Sequence, residues 1–255
     1  VPVRGRVVAG YRDADNPDDR WLGHIPFERL PHEYNPARGY VASANQRIVG
    51  PNFTPAIYGA YSQGHRGVRI DQVFAAHPDA GRKETIMLQN DIRSARATRM
   101  VPAILKLLEG STAADAQLVA GLLGGWNCDY TEDSTAATMF ETLMFHWQRA
   151  VLGLHLPERL LALAQQQTGL AMSLLEQPGL AYFPEGTAAR LAATCTPSVA
   201  ALRARLGEAP SGWTWGRVHV AHWKHPVSTP SNSTALDIGP ASVDGGTHTV
   251  RNTGG

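Results

Sequence analysis

The chain has 255 residues, of which 43% are hydrophobic and 18% charged, enough length and apolar content to bury one large core or two smaller ones. A formal net charge of +1 supplies no field able to hold a polyanion, which sets aside nucleic acid and anionic membrane surfaces as partners. No run approaches the roughly 18 consecutive apolar residues of a membrane span, and the opening VPVRGRVVAG does not read as a secretory signal.

Residues 1–65 are turn-rich and biased to strand: the short apolar runs VVAGY, GYVASA and QRIVG alternate with DADNPDD, LPHEYNPARG and GPNFTP. The opening run Val1–Val8 alternates like the middle of a strand. Residues 66–212 carry helical spacing. A first helix is predicted from Arg66 to about His77, and a longer one from about Lys83, with Leu88, Ile92 and Ala95 on one face and Pro102 kinking or restarting it before a stop at Gly110. Residues 112–123 form the next. Over 134–152, Phe140, Leu143, Met144, Trp147 and Val151 make an amphipathic stripe behind a cap at Asp133 or Ser134, which points to a core helix. Pro157 opens a short leucine-rich helix, and 187–206 close the helical region. Residues 213–255 return to strand bias in TWGRVHVAHW, LDIGP and GGTHTV, the last with nothing following to cover it. Strands, a helical middle, then strands again give an α+β class, or a sheet domain with a helical insertion. The abrupt ends read as a piece of a longer polypeptide.

Chemistry read from spacing alone is sparse. Cys128 and Cys195 sit among small or apolar neighbours and read as buried, inert thiols; they allow at most one disulfide. His219, His222 and His225 suggest a metal site, but alternation along a strand would send His222 to the opposite face, which favours structural histidines. Asp129, Glu132 and Asp133 read as a solvated, helix-capping loop rather than a calcium or catalytic cluster. No phosphate-binding loop and no G-x-S-x-G elbow is present.

The segment Asn35-Pro-Ala-Arg-Gly-Tyr-Val-Ala-Ser-Ala-Asn-Gln-Arg-Ile-Val-Gly-Pro51 resembles a signature of the penicillin acylase family of N-terminal-nucleophile hydrolases. Further motifs follow in that family's order: Arg66-x-x-Arg69-Ile70, Gln89-x-Asp91-x-x-Ser94-x-x-Ala97 with Pro102, Leu123-x-x-Trp126 with Asp133-Ser134, Trp215-Gly216-Arg217-x-His219, and Gly245-Gly246 with Thr249-Val250. Together they cover nearly the whole chain.

The resemblance implies part of an αββα fold with an inserted, mainly helical region, in an internal portion of the family's β chain. It implies an amidohydrolase made as a zymogen that processes itself, exposing an N-terminal serine whose own α-amine serves as base. Val1 cannot be that serine, so the nucleophile would lie outside this chain, together with the α chain and the rest of the β chain as partners. Asn45 matches the asparagine that donates to the oxyanion, and Arg66 matches the arginine that orients the site, with Arg69 as the competing assignment. Relatives hold a structural calcium through an Asp between those two positions, but residues 46–65 contain no Asp or Glu, so the expected ligand is missing and no cofactor is assigned. The family's usual Trp-Asp is Trp126-Asn127 here, read as a packing-loop change. The substrate class is a linear amide, such as an acylated β-lactam or an N-acyl homoserine lactone, and the location periplasmic or extracellular. Two other readings stand beside it: a catalytically silent scaffold or binding module of the same fold, and an unrelated metal-dependent hydrolase using the histidines at 219–225.

Overall fold

The computed structural model describes residues 1–6, 12–50, 52–57, 59, 61–164, 168–228 and 234–252. The chain divides into two compact units, Val1–Gly67 and Val68–Gly255.

The first unit holds one antiparallel ribbon, β1 (Pro2–Arg4) against β2 (Trp21–His24), with Pro2 opposite His24. Few apolar side chains are buried here, Ile25 and Ala44 among them, so polar contacts carry much of its order. Asp19 is the centre of these. Its carboxylate takes Arg6 bidentately at 2.8 and 2.6 Å and the Asp13 N–H at 2.8 Å, while Arg4 donates to the Asp19 carbonyl at 2.6 Å. The Arg6 hydrogen bonds, helped by that N–H, hold the Asp19 carboxyl well below the usual carboxylate range. The strands expected at GYVASA and QRIVG are not formed. Residues 40–50 run as loop, because a strand needs a neighbour to take its ladder hydrogen bonds and among the described residues this stretch has one parallel bridge, Gln46 to Ser62. The run VVAGY lies outside the described residues, and the expected strand at the start is β1 alone.

Helix α1 (His65–Ala76) opens in the first unit and continues into the second. There follow α2 (Arg82–Gln89), α3 (Ala95–Leu108), α4 (Ala114–Leu123), α5 (Thr135–Leu152), α6 (Glu158–Leu161), α7 (Gly169–Glu176) and α8 (Thr187–Leu206), then an antiparallel ribbon of β3 (Val220–Trp223) and β4 (Ile238–Ser242). The single helix expected from Lys83 is two helices. The chain breaks at 90–94 because Ser94 caps α3, its Oγ accepting from Ala97 N–H at 3.1 Å, and because Ser94 N–H and Ile92 C=O pair instead with Cys128 and Tyr130. Pro102 does not restart a helix but sits inside α3, between the buried Val101 and Ile104. Ser134, not Asp133, caps α5. Helix α7 was not anticipated, and the helix after Pro157 is the short α6.

The core of the second unit forms where α4, α7 and α8 pack on α5 and α3 packs on α4, α7 and α8. Phe140, Leu143, Trp147 and Val151 of the predicted stripe are all fully buried, with Ile104, Leu123, Leu191 and Val199 among their neighbours in the core. Trp147 donates its indole N–H to the Ala171 carbonyl at 2.8 Å, so the largest apolar surface in α5 is buried without orphaning its polar atom. Both cysteines are free thiols in this core, and burial pushes the Cys195 thiol up to about 12.

The segment GGTHTV is a tight turn rather than a strand. Gly245 has φ +82°, and a Cβ there would collide with the Arg251 carbonyl oxygen; Thr249 Oγ1 accepts from Gly246 N–H at 2.9 Å and donates to Arg251 O at 2.8 Å. The turn docks by accepting the Trp215 indole N–H at Gly245 O, 2.7 Å. TWGRV is likewise a 3-10 turn at Trp215–Arg217, with β3 starting only at Val220.

Helices α5 and α8 also meet at His146, whose Nδ1–H donates to Thr142 O at 3.0 Å and lies 3.3 Å from Ser198 Oγ. Burial lowers the His146 pKa below its ordinary value. Below about pH 6.5 the unfolded chain therefore binds this proton more readily than the folded one, so stability contributed by neutral His146 is lost as pH falls from there. Urea titrations at neutral pH and at about pH 5 are expected to show a smaller stability loss on acidification for His146→Gln than for the wild type. Replacing Trp147 by Ala is expected to cost about 3–5 kcal/mol in the same measurement, through the cavity it leaves and the unpaired Ala171 carbonyl.

Candidate active site

Asn45 and Arg66 are both in the first unit, and the fold brings them together. Asn45 stands in the loop at φ +65°, a left-handed backbone that Asn tolerates better than most residues, with its side chain exposed. Arg66 lies in the first turn of α1. Its Nη2 donates to Asn45 Oδ1 at 2.7 Å and to the Ala44 carbonyl at 3.1 Å.

This pairing fixes the chemistry of the amide. A guanidinium only donates, so the atom facing Arg66 must be the carboxamide oxygen, which leaves both N–H bonds of Nδ2 directed elsewhere. Among the described residues Nδ2 has no hydrogen-bond partner. The cation on Oδ1 also draws electron density from the amide and makes Nδ2 a better donor. Such a group can stabilise an oxygen on which negative charge develops.

Arg69 makes a different contact. It grips Asp91 with three hydrogen bonds between 2.6 and 3.1 Å, and the Asp91 carbonyl accepts Arg251 N–H at 2.9 Å. Arg69 thus serves a structural ion pair within the second unit, whereas Arg66 is the arginine that touches Asn45. The motif residues Arg69 and Asp91, separate in the sequence, are each other's partners.

The remaining candidates resolve into supports. Asp129 pairs with Arg93 at 2.8 Å and accepts from Asn127 Nδ2 at 2.9 Å, so the Trp126-Asn127 pair forms a turn, with Trp126 Nε1 bonded to Asp129 O. His219 stacks on Trp215 at 4.8 Å between ring centres and donates from Nδ1 to Val243 O at 3.1 Å. It precedes β3, and His225 lies beyond the strand's end, so the three histidines do not share one regular strand. Among the described residues no three of His, Cys, Asp or Glu gather to hold a metal.

Sequence reading missed a polar cluster in the second unit. Arg96, only 4% exposed, lies over the Phe140 ring and 3.4 Å from Glu141, whose other oxygen accepts the Tyr130 hydroxyl at 2.6 Å. Burial works to raise the Glu141 pKa, but the charges of Arg96 and His248 and the Tyr130 bond outweigh it and hold the carboxyl below its ordinary range. Glu141 also edges a cavity of about 430 Å³ together with His146, Phe145, Arg205 and Trp215; neither Asn45 nor Arg66 lines it. A charged residue at the rim of the α5 stripe was the available signal.

The comparisons agree with the motif order. The chain is similar in fold to a thermostable penicillin G acylase from Alcaligenes faecalis, with a TM-score of 0.63 at 18% identity over 92% of this chain. It spans about half the length of that acylase, 50%. No described helix is long and apolar enough to cross a membrane. The profile of the penicillin amidase family matches residues 1–255 throughout, and the chain belongs to that family.

Proposed function

We propose that this chain is an internal portion of the β chain of a penicillin-acylase-like amidohydrolase, and that its two small ribbons belong to the αββα layers of an N-terminal-nucleophile hydrolase. The α chain and the other β-chain segments would come from the same self-processed precursor, exported to the periplasm or beyond. The observation that carries this reading is the Asn45 amide, with its oxygen held by Arg66 and its N–H bonds left to donate.

In the intact enzyme a serine at the start of the β chain attacks the carbonyl of a linear amide, and its own α-amine takes the hydroxyl proton. Such an amine has an ordinary pKa near 8 and is partly free at neutral pH. The carbonyl oxygen becomes an oxyanion as the tetrahedral intermediate forms, and the Asn45 Nδ2–H donates to it. The C–N bond breaks, the leaving amine takes the proton from the α-ammonium, and an acyl ester remains on the serine. Water, deprotonated by the same amine, hydrolyses that ester to a carboxylic acid. Arg66 does not touch the substrate in this scheme; it keeps the amide turned with nitrogen outward. Substrates of this class are acylated β-lactams, N-acyl homoserine lactones and other acylated amines.

With a chromogenic acyl-anilide as substrate, Asn45→Ala in the processed full-length enzyme is expected to lower kcat by about 10²–10³. Unchanged turnover would remove Asn45 from the oxyanion site. Arg66→Ala is expected to cost at least about tenfold in kcat, since the amide is then free to rotate away.

A further inference from the structure

The turn that carries Asn45 is fastened by contacts the reaction scheme does not use. Gln46, the next residue, folds its side chain back so that Oε1 accepts the Ala44 N–H at 2.6 Å. The same carboxamide is seated against the first turn of α1: a Cβ on the buried Gly67 would lie 3.0 Å from Gln46 Nε2 and 3.1 Å from its Cδ. Glycine at 67 is thus the residue that leaves room for the Gln46 side chain beside Arg66. Ser62 closes the other side, its N–H donating to Asn45 O at 2.8 Å and its hydroxyl to Ala44 O at 2.8 Å. The main-chain groups bracketing Asn45 are therefore held, although the Asn45 side chain is exposed.

A left-handed backbone at a residue other than glycine persists only where its surroundings hold it. Ala44 is the point on which these restraints converge, since Gln46 takes its N–H while Ser62 and Arg66 share its carbonyl. Without the Gln46 acceptor, the Ser43–Ala44 peptide, to which that N–H belongs, can rotate, and the Ala44 backbone that sets the direction of the Asn45 amide moves with it.

We propose that Gln46 is a positioning residue for the Asn45 amide, acting by clamping the Ala44 N–H from a seat on Gly67. This rests on the reading of Asn45 as the oxyanion donor. It assigns Gln46 no contact with substrate.

The test measures kcat and KM for the acyl-anilide with processed full-length enzyme, for Gln46→Ala, Gln46→Glu, Gly67→Ala and Asn45→Ala, and for the first and third combined with Asn45→Ala. Gln46→Ala is expected to lower kcat about tenfold to hundredfold while KM changes less than about twofold. Gln46→Glu, which keeps an oxygen acceptor for Ala44, recovers most of the loss. Gly67→Ala, which crowds the Gln46 carboxamide from the helix side, reproduces the kcat effect and serves as the probe if Gln46→Ala does not fold. In the Asn45→Ala background either change costs less than about twofold, because the group being positioned is gone. An unchanged kcat for the Gln46 and Gly67 variants beside a damaged Asn45→Ala overturns the positioning role alone. So does an equal loss in both backgrounds. Full activity in Asn45→Ala overturns the oxyanion reading instead.

Discussion

Helix α5 presents a face that water cannot be allowed to reach, and the second unit is arranged to cover it. Phe140, Leu143, Trp147 and Val151 lie one above another on that face, all fully buried, and α4, α7 and α8 bring the apolar surfaces that do the covering, with α3 packed against those three. The ends of the helix extend the constraint into the loops. Ser134, its cap, accepts Trp215 N–H at its carbonyl, and Glu132 accepts Gly216 N–H, so the segment leading to β3 is pinned to the start of α5. Trp215 in turn holds the Gly245 turn through its indole and meets Tyr130 edge-on at 5.3 Å. Motif residues far apart in the chain are therefore the parts of one packing cluster around the N-terminal end of one helix.

The first unit obeys a different logic. With little apolar surface buried, it relies on charge-assisted hydrogen bonds such as those of Arg6 to Asp19 and Arg66 to Asn45. Such contacts depend on geometry more steeply than apolar packing does, and they suit the role proposed for this turn, aiming one amide. The proposed reaction asks for a donor fixed before the charge appears, because an amide that had to reorient during the reaction would give back part of what it stabilises.

How much of this was legible in the sequence follows from the range of the forces involved. The α5 stripe and the Ser134 cap could be read because side-chain period and capping are local. The break between α2 and α3 could not. Its apolar spacing fits one helix, and what breaks it is the pairing of Ile92 and Ser94 with Tyr130 and Cys128, more than thirty residues away. GYVASA and GGTHTV failed as strands for the same reason: alternation describes a chain that can pair, and pairing is decided by a partner. Helix α7 is only eight residues long, too short for the buried stripe of Ala171, Met172, Leu174 and Leu175 to stand out in GLAMSLLE.

The candidate site divides along the same line. The order of short motifs identified Asn45 and placed an arginine near it, since residue type and spacing are properties of the chain itself. Of two arginines three residues apart, Arg66 was preferred there and Arg69 was the competing assignment. The folded chain gives Asp91 to Arg69 and Asn45 to Arg66. The sequence determined which groups were available and the helical period that buries α5. The folded chain decided which donor met which acceptor, because hydrogen bonds are short and directional and their partners are chosen by distances no linear spacing contains.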